Sequence, residues 1–269
     1  EARLKKIAIL KEHGLNPFTA LSHQTHTIDA AIVEFDRLVA DGEKVTLVGR
    51  IMSLRAQGAI MFATFFDGTG SFQAFMRKGD LEESLFTLFF DTIDIGDFVE
   101  FSGTVMLSRT GQKTIAVTSW NILTKSLAPL PEKWHGITDP DERFRKRYLD
   151  ILMDPTLREL FEKKSRFWDV TRHFLKARGF LEIETPTLEV TTGGAEANPF
   201  RTHHRDYDID VFLRISIGEL WQKRLMAAGF PKTFEIGRAY RNEGTSPEHL
   251  QEFTIYLVAH FSLFLNCTD

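Results

Sequence analysis

The spacing of apolar residues changes near residue 43, and this change limits the fold more than any other feature. Before it, "EARLKKIAILKEHG" and "TIDAAIVEFDRLVADG" repeat at helical spacing and stop at Gly14 and Gly42. After it, "KVTLVGRIMSLR", "AIMFATFFDGTGSFQAFMRK" and "DFVEFSGTVMLSRTGQKTIAVTSWNIL" alternate with period two. Asp67-Gly68-Thr69-Gly70 and Arg109-Thr110-Gly111 punctuate these runs as turns. "DLEESLFTLFFDTI" returns to helical spacing between the third and fourth runs. Five short strands with one helix after the third is the order of an OB-fold barrel, with a generic small β-barrel as the alternative.

The alternation ends at "TKSLAPLPEKWHG", which holds two prolines and little periodicity and reads as a linker. A charged helix, "TDPDERFRKRYLDILM", follows. A longer helix is expected over 155–178, with Asp154 as N-cap, Pro155 in its first turn and Gly179 as its stop. "FLEIETPTLEV", "FRTHHRDYDIDVFLRIS" and "KTFEIGRAYRNEG" then alternate as strands, with "GELWQKRLMAAG" as a helix among them. Helices on a mostly antiparallel sheet make this second part α+β. The expected division is a helical extension over 1–42, an OB-fold domain over 43–124, a linker over 125–136 and an α+β domain over 137–269.

With 269 residues the chain can bury one large core or two ordinary ones. Its net charge of −4 puts any nucleic-acid contact in local patches. One cysteine, Cys267, rules out a disulfide framework and fits a reducing compartment. No apolar run approaches the ~20 residues that span a bilayer, so a cytoplasmic protein is expected. The chain begins at Glu1 inside a helical pattern, and its start reads as trimmed.

"GRAYRNEGTSPEHLQEFT" carries the densest chemistry. On a strand running into a turn, Arg241 and Glu243 face the same way because their spacing is two. "LQEFT" reads as the returning strand, bringing His249 and Phe253 back toward Arg241. A guanidinium fork suits phosphate, Glu243 can accept from an exocyclic amine, and Phe253 offers a ring for stacking. Those are the needs of an adenine nucleotide. A surface hairpin with a weak Arg–Glu pair stands as the alternative. His203-His204 makes a poor chelate, since adjacent strand residues point apart, and no metal site is expected. "ERFRKRYLD" is either an RNA patch or a solvated helix face.

"GRAYRNEG…EFT" resembles motif 2 of the class II aminoacyl-tRNA synthetases, and "GFLEIETPTL" resembles motif 1. "EKWHGITDPDERFRKRYLDIL", "TGGAEANPFRTHH" and "YDIDVFLRIS" are similar, in matching order, to segments of the bacterial lysyl-tRNA synthetases. The likeness covers nearly everything from Arg3 to Thr254. It implies an ATP- and Mg²⁺-dependent ligase that adenylates lysine and passes it to tRNA. Arg241 would hold the α-phosphate and the lysine carboxylate, Glu243 the adenine amino group, and His249 the γ-phosphate, while Phe253 would stack on adenine. Gly194 would offer its backbone to the lysine α-ammonium and Glu219 would pair with that ammonium. "RISIGELWQK" is one residue longer than the common family form, which bears on Glu219. Arg55, Phe62 and Gln73 occupy the places where related barrels read an anticodon. A homodimer through motif 1 is also implied.

The resemblance stops after Thr254. Positions that should grip the lysine ε-ammonium with a glutamate and a tyrosine hold Leu257 and Ala259, and no motif 3 follows. The expectation is therefore a C-terminally truncated catalytic domain, inactive in this form. A non-catalytic tRNA-binding fragment and an aspartate- or asparagine-specific relative are the rivals.

Overall fold

The computed structural model describes residues 1–131, 136–244, 246 and 249–260. The chain falls into two compact units, Glu1–Met153 and Asp154–Asp269.

In the first unit, α1 (Ala2–Glu12), α2 (Ile28–Val33) and α3 (Phe35–Asp41) precede the strands. The single helix expected over 27–42 breaks at Glu34, between α2 and α3. Its ends are as the sequence implies: the Thr27 hydroxyl accepts from Ala30 N–H, and Gly42 closes α3 in the left-handed region at φ 60°. The strands are β1 (Lys44–Gln57), β2 (Ile60–Phe66), β3 (Ser71–Arg77), β4 (Phe98–Leu107) and β5 (Lys113–Thr124), with α4 (Glu83–Thr92) between β3 and β4. They close into a barrel in the order β1-β2-β3-β5-β4, β3 and β5 running parallel. Helices α5 (Pro140–Arg145) and α6 (Arg147–Met153) complete the unit.

Period-two alternation puts Met61, Ala63 and Phe65 of β2 and Phe72, Ala74 and Met76 of β3 inside, all nearly inaccessible. Phe86 and Phe89 of α4 join the same core, Phe89 meeting Trp120 edge-on at 5.1 Å. Gly103 is required where β4 crosses β5, because a Cβ there would collide with the Ala116 carbonyl. Lys125, the first residue of the expected linker, is fully buried: its Nζ lies 2.6 Å from both Asp94 and Asp97 carboxylates. The barrel's hold on the chain therefore reaches Ser126, whose N–H donates to Asp97 at 2.8 Å.

The second unit opens with α7 (Pro155–Lys176), capped by the Asp154 carboxylate on Thr156 N–H. After it come β6 (Leu181–Glu182), β7 (Leu188–Glu189), β8 (Arg201–His204), β9 (Ile209–Leu213), α8 (Glu219–Ala227), β10 (Lys232–Tyr240) and β11 (Glu252–His260). They form two three-stranded sheets, β11-β10-β6 and β7-β9-β8, antiparallel except for β6 against β10. The architecture is the expected α+β. The strand expected through "FLEIETPTLEV" is split into β6 and β7, two residues each, around Thr185-Pro186. β11 continues past Thr254, pairing with β10 as far as His260.

Candidate functional site

Arg238 opposes Thr254 and Ala239 opposes Phe253 across β10 and β11. The same register persists past the ladder, where Arg241 N–H donates to the Gln251 carbonyl at 2.8 Å. Arg241, Gln251 and Phe253 thus share one face. The Arg241 guanidinium carbon lies 5.2 Å from the Phe253 ring centre, and its Nε donates to the Ile215 carbonyl at 3.4 Å. The Gln251 amide donates to the Glu243 main-chain carbonyl at 3.2 Å, and the Glu243 residue is exposed. The His249 ring Nδ1 sits 2.7 Å from the Ser246 hydroxyl, which also accepts from His249 N–H at 3.1 Å. Arg241, Glu243, His249 and Phe253 all line one open cavity of about 360 Å³, together with Gly244, Leu250 and Gln251. The parts of the "GTSPEH" turn at 245, 247 and 248 lie outside the described residues.

Gly194 and Glu219 are also brought together. Gly194 holds φ +86°, and a Cβ on it would lie 2.5 Å from Glu219 Oε2 and 3.1 Å from Ser216 Cβ. Only a glycine gives both that backbone and that approach. Glu219 stands at the start of α8 and pairs with Lys223 at 2.9 Å. Hydrogen bonds join this region to the hairpin, among them Arg241 Nε to Ile215 O, Asn242 N–H to Asn198 O at 2.7 Å and Tyr240 N–H to Arg214 O at 2.9 Å.

Behind these residues lies a network that the sequence reading missed. The Arg214 and Glu235 side chains are 5% and 3% exposed and pair at 2.7 Å. Arg214 also donates to the carbonyls of Arg238 and Thr185, and the Thr185 hydroxyl donates to Glu235 at 2.6 Å. Three distant segments, around Thr185, Arg214 and Glu235, are thereby fixed against each other. Gly237 is compulsory because a Cβ would strike the Arg214 guanidinium. Parity was the available signal: Glu235, Gly237 and Arg241 are separated by even numbers and share a face. Glu189 lies near the pair; burial pushes its carboxyl above the usual range, Arg214's charge opposing and Glu235's assisting.

On the barrel, Arg55 is directly opposite Phe62, which is directly opposite Phe75. The Arg55 guanidinium carbon is 6.0 Å from the Phe62 ring centre, and Phe62 and Phe75 are 5.3 Å apart. Phe62 lies on the outer surface of β2 and is half-buried, while its neighbours Met61 and Ala63 face the core. Gln73 sits in the next row, opposite Thr64, and is buried with its amide 2.9 Å from the Thr114 hydroxyl. Phe75 was not singled out from sequence, although its spacing of two from Gln73 marks the same face.

The two other basic or histidine-rich segments are occupied locally. His203 lies between Asp208 and Asp210 at 3.3 and 3.5 Å, and His204 packs on Tyr207 with ring centres 4.7 Å apart. Arg143, Arg145, Lys146 and Arg147 each have a carboxylate partner within α5 and α6, Arg143 reaching across to Asp150 of α6.

A family model described as "tRNA synthetases class II (D, K and N)" matches residues 139–257, three residues past Thr254, and one for an "OB-fold nucleic acid binding domain" matches 45–123. The lysine–tRNA ligase of Roseiflexus castenholzii is 42% identical over 256 residues, covering 95% of this chain and 52% of that protein. That of Pelotomaculum thermopropionicum is 43% identical over 253 residues, covering 94% and 49%. That of Carboxydothermus hydrogenoformans is 42% identical over 255 residues, covering 95% and 51%. The chain spans about half the length of the curated relatives it matches.

Proposed function

Because the chain belongs to the class II tRNA synthetases of the D, K and N group, we propose that it carries the RNA-binding and ATP-binding portions of a lysine–tRNA ligase. The reading rests on one observation above the others. Arg241, Glu243, His249 and Phe253 converge on one open cavity, and Ile215, in the segment leading to Glu219, accepts a hydrogen bond from Arg241 of the same hairpin. A permanently charged guanidinium over a ring, with an exposed carboxylate beside it, fits an adenine nucleotide in that space.

In this reading Phe253 stacks on adenine, Glu243 accepts from its amino group, Arg241 neutralises the α-phosphate and His249 faces the outer phosphates. Glu219 pairs with the lysine α-ammonium, and the bare Gly194 backbone lets it approach. The lysine carboxylate forms a bond to the α-phosphorus as the bond to pyrophosphate breaks. The carboxylate is already ionised, so no general base is required, and Arg241 contributes position and charge. The lysyl group then passes to a hydroxyl of the terminal tRNA ribose. Among the described residues no group of three His, Cys, Asp or Glu side chains suits a metal ion. Magnesium would enter this reading with the ATP phosphates, whose charge it would neutralise. Arg55, Phe62 and Gln73 take the anticodon; Gln73 must swing out from Thr114 to do so.

We place the ligase in the cytoplasm as a homodimer through the motif 1 segment, with residues 125–136 as the link between anticodon and catalytic domains. Among the described residues no helix is long and apolar enough to cross a membrane.

One observation favours the reading of a tRNA-binding chain without catalysis. Leu257 opposes Glu235 on the face that carries Arg241, and Glu235 is already spent on Arg214. Those two opposed residues offer a lysine ε-ammonium no free counter-charge. Exchange of labelled pyrophosphate into ATP separates the two. Exchange that depends on lysine supports the ligase in this chain; exchange driven by aspartate or asparagine contradicts the lysine assignment. RNA binding with no exchange supports the non-catalytic reading.

A further inference from the structure

The outer face of the barrel holds a second arginine that the anticodon assignment does not use. Arg50 and Arg55 are five residues apart on β1, and in a regular strand they would face opposite sides. A bulge prevents this. Ile51 opposes Phe65, but Ser53 opposes Thr64, so Met52 is an extra residue and the parity of β1 flips. Arg50 then opposes Phe66, and Arg55 opposes Phe62, on the same outward face of β2. The face is laid out in rows: Arg55–Phe62–Phe75, then Ser53–Thr64–Gln73, then Arg50–Phe66–Ser71. The outer rows lie about 13 Å apart along the strands.

Arg50 is half-buried, its guanidinium carbon 4.4 Å over the Phe98 ring of β4. Among the described residues it has no carboxylate or carbonyl partner. The outward acid two residues along β4, Glu100, is engaged by His23, whose main-chain N–H donates to it at 2.6 Å. A half-buried cation on a ring, with no anionic partner among the described residues, is an arrangement suited to an incoming anion. Burial alone pulls this guanidinium below the ordinary arginine value, which is the signature of a cation with no counter-charge.

We infer that Arg50 is a phosphodiester contact for the single-stranded RNA that the Arg55–Phe62 row takes, placed on that face by the Met52 bulge. This inference rests on the reading of the barrel as an RNA-binding module. In it, Phe62 and Arg55 hold a base while Arg50, two rows away, holds the backbone of the same strand.

The test uses the full chain and a fluorescent RNA hairpin with a single-stranded loop, titrated across a salt series. A second hairpin carries exchanged loop bases. Arg50→Gln should flatten the slope of log affinity against log salt by about 0.7, the value for one lost phosphate contact to a single strand. The affinity loss should be equal for both loops, because phosphate carries no sequence. Arg50→Lys should keep most of the slope. Phe62→Ala should weaken binding without flattening it. If Phe62→Ala weakens binding while Arg50→Gln leaves the slope unchanged, the Arg50 inference is wrong and the barrel reading stands. If the wild-type chain does not bind the hairpin, the barrel reading fails and takes the inference with it. Should Arg50→Gln lower the melting temperature into the assay range, methylphosphonates scanned through the loop replace it. One neutralised position should flatten the wild-type slope equally; none doing so overturns the inference.

Discussion

The two units bury their apolar residues very differently. In the barrel unit, one continuous core runs from Leu10 of α1 through every strand to Ile122 of β5. The second unit buries Phe234, Ile215, Ile217 and a few others, while Leu160, Phe161, Phe167, Val170 and Phe174 of α7 stay exposed. A closed sheet has no edge and one interior, so alternation alone fills it. Two small open sheets enclose little; both units bury an ion pair, but only the barrel sets it beside a continuous apolar core rich in phenylalanine. The lesson is that the barrel's order is distributed, whereas the order of the candidate site is concentrated in Arg214, Glu235 and Thr185.

The largest expected effect breaks that concentration. Glu235→Ala leaves the Arg214 guanidinium buried and unpaired, and should destabilise the second unit by about 3–5 kcal/mol. Hydrogen exchange read by peptide should show β10 and β11 losing protection while β1 to β5 keep theirs. Equal loss in both units would contradict the contrast.

The barrel allows a sharper test between two phenylalanines of one strand. Phe65 is fully buried and Phe62 faces out. Phe65→Ala should cost about 3–5 kcal/mol of barrel stability in urea unfolding. Phe62→Ala should leave the unfolding midpoint nearly unchanged and weaken RNA binding by about 1–3 kcal/mol. A third substitution probes the candidate site: Gly194→Ala forces a Cβ against Glu219 Oε2 at φ +86°. Strain of about 1–3 kcal/mol should appear as weaker lysine binding in calorimetry, with ATP binding retained.

The smallest effects are those of pH, and they run in opposite directions. Burial raises the Asp94 carboxyl, but hydrogen bonds from Lys125 and Lys6 outweigh it and hold the group below the ordinary range. A depressed carboxylate contributes stability above its unfolded value of about 3.9, and that contribution is lost as pH falls through the lower folded value. Asp94→Asn should therefore lower the barrel's melting temperature at neutral pH and have little effect in strong acid. Glu189 is raised, so its contribution is present below about pH 4.3 and lost as pH rises through the folded value. Glu189→Gln should stabilise the second unit slightly at neutral pH and leave it unchanged in acid.

The barrel was legible because its signals are local. Period two, the Asp67–Gly70 turn and the helical insert each sit within a few residues, and together they dictate β1 to β5 and α4. The hairpin was legible for the same reason, since Arg241 and Phe253 are neighbours across one turn. The Arg214–Glu235–Thr185 network was not, because its members come from three separated segments and a buried arginine looks like any other in sequence. The shared face of Arg50 and Arg55 was hidden too: odd spacing points them apart until the Met52 bulge is known. Glu34 breaks a helix whose apolar pattern runs on unbroken, so pattern alone could not divide α2 from α3.

The most direct test of the account is nucleotide binding at the Arg241 hairpin. Calorimetric titration of this chain with ATP and with GTP reads the adenine contact and the phosphate contact separately. The account predicts that ATP binds more tightly than GTP, that Glu243→Ala erases the preference, and that Arg241→Ala abolishes binding of both. Equal binding of ATP and GTP, or ATP binding untouched by Arg241→Ala, would contradict it.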